Sequence, residues 1–143
     1  LRLAIVASRF HDYLVDKLIA GAQETLLTHG VQQSGIDLVK VPGSFELPFT
    51  CKELAASKSY DALVALGVLI KGDTLNFDLI CSAMISGLNQ VSLEFRVPIG
   101  FGVITAQTLE QAVERAGGKL ANRGVEAALA ALEMANLKRM LQK

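Results

Sequence analysis

The chain has 143 residues, 51% of them hydrophobic and 20% charged, which suits one domain, spanning 1–143, with a full core. Lysine plus arginine equals aspartate plus glutamate at 14 each, so no net positive field exists to draw nucleic acid or an anionic membrane. The longest apolar run, Ala62–Ile70, falls far short of the roughly 18 residues of a membrane span, and the expectation is a soluble protein.

Residues 3–7 form a short apolar run, ended by Ser8-Arg9-Phe10, and residues 12–29 carry Leu14, Leu18, Ile19, Ala22 and Leu26 at helical spacing. Gly30 and Gly35 punctuate the next connection before a strand over Ile36–Val41. Pro42-Gly43-Ser44 then leads into a helix over residues 45–57, with Ser44 as N-cap and Pro48 tolerated in the first turn. Ala62–Ile70 is the most apolar strand; Lys71-Gly72-Asp73-Thr74 follows it, with Thr74 as the cap of a long helix reaching Phe95. Pro98 precedes a strand over residues 99–105, Thr108 caps a short helix to Ala116, and Gly117-Gly118 separates this from a last helix over Arg123–Leu141.

Strands apolar on both faces, alternating with helices, predict a parallel sheet covered on both sides: an α/β protein built as a three-layer α/β/α sandwich. About four strands are recognisable, and because Leu1 already belongs to a strand-like run, a further N-terminal edge strand is expected from this chain or a neighbour. In the last helix Val125, Ala128, Leu129 and Leu132 would cover one face and Ala127, Ala130, Met134, Leu137 and Leu141 another, a wider apolar arc than one sheet contact needs. An oligomer is expected. Cys51 and Cys81 lack the spacing of a zinc or redox motif and read as reduced, buried thiols of a reducing compartment.

Ligands of such sheets settle at the carboxyl ends of the strands. There the sequence brings Arg9-Phe10-His11, Gly43-Ser44-Phe45-Glu46, Lys71-Gly72-Asp73-Thr74 and the segment after Thr105. Three of the six phenylalanines, Phe10, Phe45 and Phe77, fall in or just past these loops, which points equally to an aromatic-lined ligand site and to staples at helix starts. The glycine turn before a helix N-terminus can hold a phosphate with backbone N–H groups, although neither a Walker loop nor a Gly-x-Gly-x-x-Gly fingerprint is present.

Val41-Pro42-Gly43-Ser44-Phe45-Glu46-Leu47-Pro48, Leu66-Gly67-Val68-Leu69-Ile70-Lys71-Gly72, Phe101-Gly102-Val103-Ile104-Thr105 and Glu110-Gln111-Ala112-Val113-Glu114-Arg115-Ala116-Gly117 resemble the successive motifs of the lumazine synthase family. The resemblance runs in order from Ser8-Arg9-Phe10 to Met134 in the last helix. It implies a flavodoxin-like fold, cytoplasmic location and the penultimate step of riboflavin synthesis. In that step 5-amino-6-ribitylamino-pyrimidinedione and 3,4-dihydroxy-2-butanone 4-phosphate give 6,7-dimethyl-8-ribityllumazine, inorganic phosphate and water, without cofactor or metal.

Carried over by position, Phe10 would stack on the pyrimidine, and Ser44, Phe45 and Glu46 would line the ribityl and ring pocket. Val68, Leu69 and Ile70 would add ring contacts, and the backbone at Asp73 and Thr74 would cradle the phosphate with Arg115. Phe101 would reach into a neighbour's site, within a pentamer or a 60-subunit shell of twelve pentamers; the short connection after Gly117 resembles the shell-forming type.

Two departures from the family pattern bear on the chemistry. Asn76 stands where the resemblance places the general acid/base histidine, and His11 stands where it places asparagine. An amide does not exchange protons near neutral pH, and losing a positioned acid/base costs about 10²- to 10⁴-fold in rate, so slow turnover is expected. His11 is a candidate substitute; the competing reading is a helix-start histidine set by local hydrogen bonds. Gly118 and Ala121 replace the family's threonine and glycine, which bears on any phosphate contact by Lys119 or Arg123. A non-catalytic lumazine- or flavin-binding or cage-forming relative is the second reading, and the riboflavin synthase type that shares the fold is a third.

Overall fold

The computed structural model describes residues 1–118 and 121–143, so Lys119 lies outside the described residues. Four strands, β1 (Leu3–Ser8), β2 (Ile36–Val41), β3 (Ala62–Ile70) and β4 (Ile99–Ala106), form one parallel sheet in the order β2-β1-β3-β4. The helices are α1 (Asp12–Thr28), α2 (Leu47–Ala56), α3 (Phe77–Phe95), α4 (Leu109–Arg115) and α5 (Arg123–Leu141). The 2-1-3-4 order makes the fold flavodoxin-like, with its switch point between β1 and β3.

The period of two along the strands builds the three layers. Leu3, Ile5 and Ala7 of β1 and Val64, Leu66 and Val68 of β3 pack with α1 and α5. Ala4 and Val6, with Leu63, Ala65 and Leu69, pack on the other side with α2 and α3. Both central strands are buried throughout, as expected of a covered parallel sheet. β2 departs from the expectation of two apolar faces: it lies at the sheet edge, and Leu38 and Lys40 are exposed.

α5 matches its expected span, but a different stripe is buried. Ala127, Ala128, Ala131, Leu132 and Ala135 face the core, and Leu129, Met134, Leu137 and Leu141 face outward. Small residues win because the helix lies unusually close to its neighbours: a Cβ on Gly124 would collide with the Leu18 carbonyl of α1, and one on Gly100 with the Ala127 carbonyl. The outward side chains leave an exposed apolar stripe, part of it beside Val97, Pro98 and Ile99. Asn122 caps the helix, its Oδ1 accepting from the Gly124 and Val125 N–H groups at 2.8 and 3.3 Å.

Two expected caps are absent. Ser44 opens a 3-10 turn (Ser44–Glu46) rather than the helix and makes no capping bond. α3 starts at Phe77, and Thr74 Oγ1 accepts from the Asn76 N–H at 3.3 Å in the loop before it. The cap by Thr108 is present, accepting from the Gln111 N–H at 3.2 Å. No helix among the described residues is long and apolar enough to cross a membrane.

Candidate functional site

The loops leaving β1 and β3 meet beyond the sheet. His11 sits at φ 60° and ψ 48°, a left-handed conformation that asparagine, aspartate and histidine tolerate better than other non-glycine residues. Its carbonyl accepts from the Leu14 and Val15 N–H groups at 3.0 Å each and so starts α1. Its Nε2 lies 2.8 Å from Asp73 Oδ2, and the same carboxylate oxygen accepts from the Ile70 N–H at 3.3 Å. The Phe10 ring stacks on the imidazole at 4.6 Å between centroids, 21° from parallel, and remains 53% exposed.

Beneath these loops lies a polar niche. Ser8 and Ser44 are 1% and 4% exposed, and neither hydroxyl has a hydrogen-bond partner among the described residues. Both flank Gly67: a Cβ there would stand 2.6 Å from Ser44 Oγ and 2.8 Å from Ser8 Oγ. Glycine inside a central strand marks a close approach, and here it makes room for two hydroxyls. Phe45, on the turn above, is 61% exposed.

Val68, Leu69 and Ile70 point their side chains into the cores, Val68 and Ile70 to one side and Leu69 to the other. β1 pairs with β3 as far as Leu66 and ends at Ser8 beside Gly67, so residues 68–70 run past the end of β1 and turn main chain rather than side chain to the crevice. Main-chain edges suit a flat heterocycle with alternating donors and acceptors.

On the other side of Ile70 the chain turns through Gly72 at φ 104°, with the Asp73 N–H donating to the Ile70 carbonyl at 3.1 Å. Lys71 is tied across to β4 by its N–H on the Ala106 carbonyl at 2.9 Å. The side chain of Asn76 does not cap α3, whose first internal bond runs from the Ile80 N–H to the Asn76 carbonyl. The first turn of α3 borders a hollow of about 400 Å³ whose lining includes Lys71, Gly72, Thr74, Asn76 and the acidic Asp78. Arg115, the last residue of α4, comes to the β4 end, where its guanidinium reaches the Thr105 carbonyl at 3.4 Å.

Two aromatics lie elsewhere. Phe77 is 8% exposed and packs in the core on the α2 and α3 side, so it acts as a staple and not as a ligand wall. Phe101 pairs with Ala65 in mid-sheet, five residues before the end of β4, which places it about 16 Å from this protomer's crevice. It stands partly exposed beside Ser82, Ile85 and Asn89 of α3 in a separate hollow of about 470 Å³. Burial pushes the Cys51 thiol up to about 12, and burial followed by Asp78 raises Cys81, so both resting thiols favour the protonated form.

Ser8 and the Asp73 carboxylate were not marked by sequence reasoning as side-chain participants. A serine closing an apolar strand and a glycine inside another are the signals that point to the niche. Nothing local in the sequence pairs His11 with Asp73, 62 residues away.

The chain matches the family model described as 6,7-dimethyl-8-ribityllumazine synthase over residues 1–139. A 6,7-dimethyl-8-ribityllumazine synthase of Aquifex aeolicus (strain VF5) is 55% identical over 142 residues, covering 99% of this chain and 92% of the relative. A solved GDP-L-fucose synthetase from Naegleria fowleri is similar at a TM-score of 0.42 and 11% identity, over 99% of this chain and 46% of that one, too slight a likeness to bear on fold or function. With a family match over nearly its whole length and a relative sharing more than half its residues, the chain belongs to the 6,7-dimethyl-8-ribityllumazine synthase family.

Proposed function

We propose that the chain condenses 5-amino-6-ribitylamino-pyrimidinedione with 3,4-dihydroxy-2-butanone 4-phosphate to form 6,7-dimethyl-8-ribityllumazine, in riboflavin biosynthesis, with no metal or cofactor. The observation that carries this reading is the family match across residues 1–139, laid over a crevice with an aromatic, a main-chain edge and an anion-ready helix start side by side. The pyrimidine stacks on Phe10 and reads the main chain at Val68 and Leu69, the Ile70 N–H and carbonyl being bonded to Asp73, with Ser44, Phe45 and Glu46 along the ribityl chain. The butanone phosphate sits at Thr74 and the first turn of α3, with Arg115 closing on it. The Asp73 N–H is committed to the Ile70 carbonyl, so Asp73 serves by shaping the turn that presents its neighbours.

Holding an amine and a ketone in one orientation supplies much of the acceleration for an imine-forming condensation. Asn76, at the position of the family's acid/base histidine, donates and accepts hydrogen bonds but does not transfer a proton, and turnover is correspondingly slow.

The active form is a homo-oligomer, a pentamer or a 60-subunit shell, in which Phe101 completes a neighbour's site. Its mid-sheet exposure and the outward apolar stripe of α5 support this reading. The free thiols fit a cytoplasmic location. The test is to mix the two substrates with the protein and measure lumazine absorbance and inorganic phosphate together. Equimolar, protein-dependent release supports the reading, and pyrimidine binding without product favours the non-catalytic relative that Asn76 motivates. Riboflavin formed from added lumazine would identify the riboflavin synthase type instead.

A further inference from the structure

We propose that His11 and Asp73 form the proton-transfer pair of this chain, His11 exchanging protons with the reacting amine and carbonyl and Asp73 orienting it. The proposal rests on the condensation reading above and adds the groups that carry its protons. Three independent features of the site converge on it.

The first is the contact itself. An ionised carboxylate only accepts hydrogen bonds, so at 2.8 Å from Asp73 Oδ2 the Nε2 atom of His11 carries the proton and Nδ1 is left to exchange with substrate. The two side chains are 18% and 23% exposed, so each is partly shielded although the contact lies at the surface end of the crevice.

The second is the support. The Asp73 oxygen that meets His11 also accepts from the Ile70 N–H, and the His11 backbone is fixed at the start of α1. An imidazole fixed by a carboxylate that is itself hydrogen-bonded has the arrangement of a general base with its orienting group. The left-handed backbone of His11 is an uncommon conformation of the kind that concentrates at functional sites.

The third is the neighbourhood. The imidazole stacks on one face of Phe10, the ring that takes the pyrimidine in the proposed complex, so the two residues share one wall of the crevice. The amine nitrogen adds to the ketone carbon, and the proton it loses passes through His11 Nδ1 to the carbonyl oxygen. In the following dehydration Nδ1 takes the remaining N–H proton and delivers it to the departing hydroxyl. The C–O bond breaks, water leaves, the nitrogen electron pair forms the C=N bond, and His11 is again neutral with Nδ1 free.

Glycine is at ease at φ 60°, so His11→Gly removes the ring without straining the backbone and opens a space of imidazole size. The experiment measures kcat for lumazine formation in the parent, His11→Gly, Asp73→Asn and Asn76→His chains, with and without free imidazole, and circular dichroism confirms folding. The expected result is a fall of roughly 10- to 100-fold in His11→Gly that imidazole partly restores. Asp73→Asn should lose about tenfold in kcat with the KM for butanone phosphate within about twofold, the mark of an orienting group.

A His11→Gly rate within twofold of the parent overturns the proposal, as does a fall that imidazole does not restore. If Asn76→His makes lumazine and the parent makes none, the condensation reading stands and the His11 pair is wrong. If neither makes it, both fall.

Discussion

The niche at Gly67 allows a worked prediction that joins stability to binding. In Gly67→Ala the new methyl would lie 2.6 and 2.8 Å from the Ser44 and Ser8 hydroxyl oxygens, about 0.6 to 0.8 Å inside ordinary contact. Both serines are buried, so neither oxygen can swing into solvent, and the strand, paired on both sides up to Leu66, cannot shift as a unit. Overpacking of this kind costs about 1 to 3 kcal/mol, which for a chain of this length is a fall of about 3 to 10 °C in Tm. Because Ser44 belongs to the proposed ribityl pocket, its displacement should also raise the KM for the pyrimidine several-fold. Ser8→Ala removes a hydroxyl that has no partner among the described residues, so alone it should be neutral or slightly stabilising. In the double variant the missing oxygen makes room for the methyl, and the loss should be smaller than the sum of the singles. Thermal unfolding at fixed protein concentration, with pyrimidine titration, measures all three. A Gly67→Ala chain with the parent's Tm and the parent's KM would refute the reasoning.

Other outcomes follow from the same geometry. Gly124→Ala should destabilise by more than about 3 kcal/mol, read by urea unfolding, because the new Cβ meets the backbone carbonyl of Leu18, which has no rotamer to yield. The Cys51 thiol, raised by burial to about 12, contributes stability that is fully present below its ordinary value of 9.0. That contribution is lost as pH rises from about 9 towards about 12, so Cys51→Ala should flatten the alkaline limb of a stability profile. At pH 8 the native chain should be alkylated at the half-buried Cys81 well before the buried Cys51, as peptide mapping would show. The Tyr60 hydroxyl, 2.6 Å away, and then Arg2 hold the Asp37 carboxyl below its ordinary range. This stability is present above the unfolded-state value and lost as pH falls through the folded one, so Asp37→Asn should be less sensitive to acid below about pH 4.

Most of the fold was legible because its signals are local. Ala62–Ile70 is apolar without interruption, glycines punctuate the connections, and Thr108 caps its helix as its position suggests. Where reading failed, a tertiary contact overrode a local preference. Ser44 has the chemistry of a cap but is claimed by the space beside Gly67. In α5 the two expected apolar faces are divided differently: Ala127 joins Ala128 and Leu132 in the core and Leu129 turns outward, because the close approach to β4 and α1 favours the alanine stripe. Phe77 reads equally as ligand wall and staple until the α3 side of the core claims it. The site was legible as a set of loops at strand ends. Its key pairing was not, because no periodicity links His11 to Asp73; only the adjacency of β1 and β3 brings them together.

The central claim is a lumazine-forming crevice whose usual acid/base position holds an amide. Its most direct test is the steady-state rate of lumazine formation from the two substrates in the parent and in Asn76→His. Slow but protein-dependent formation is expected in the parent, with a rise of about tenfold or more on restoring the histidine. Pyrimidine binding with no lumazine from either chain would contradict it.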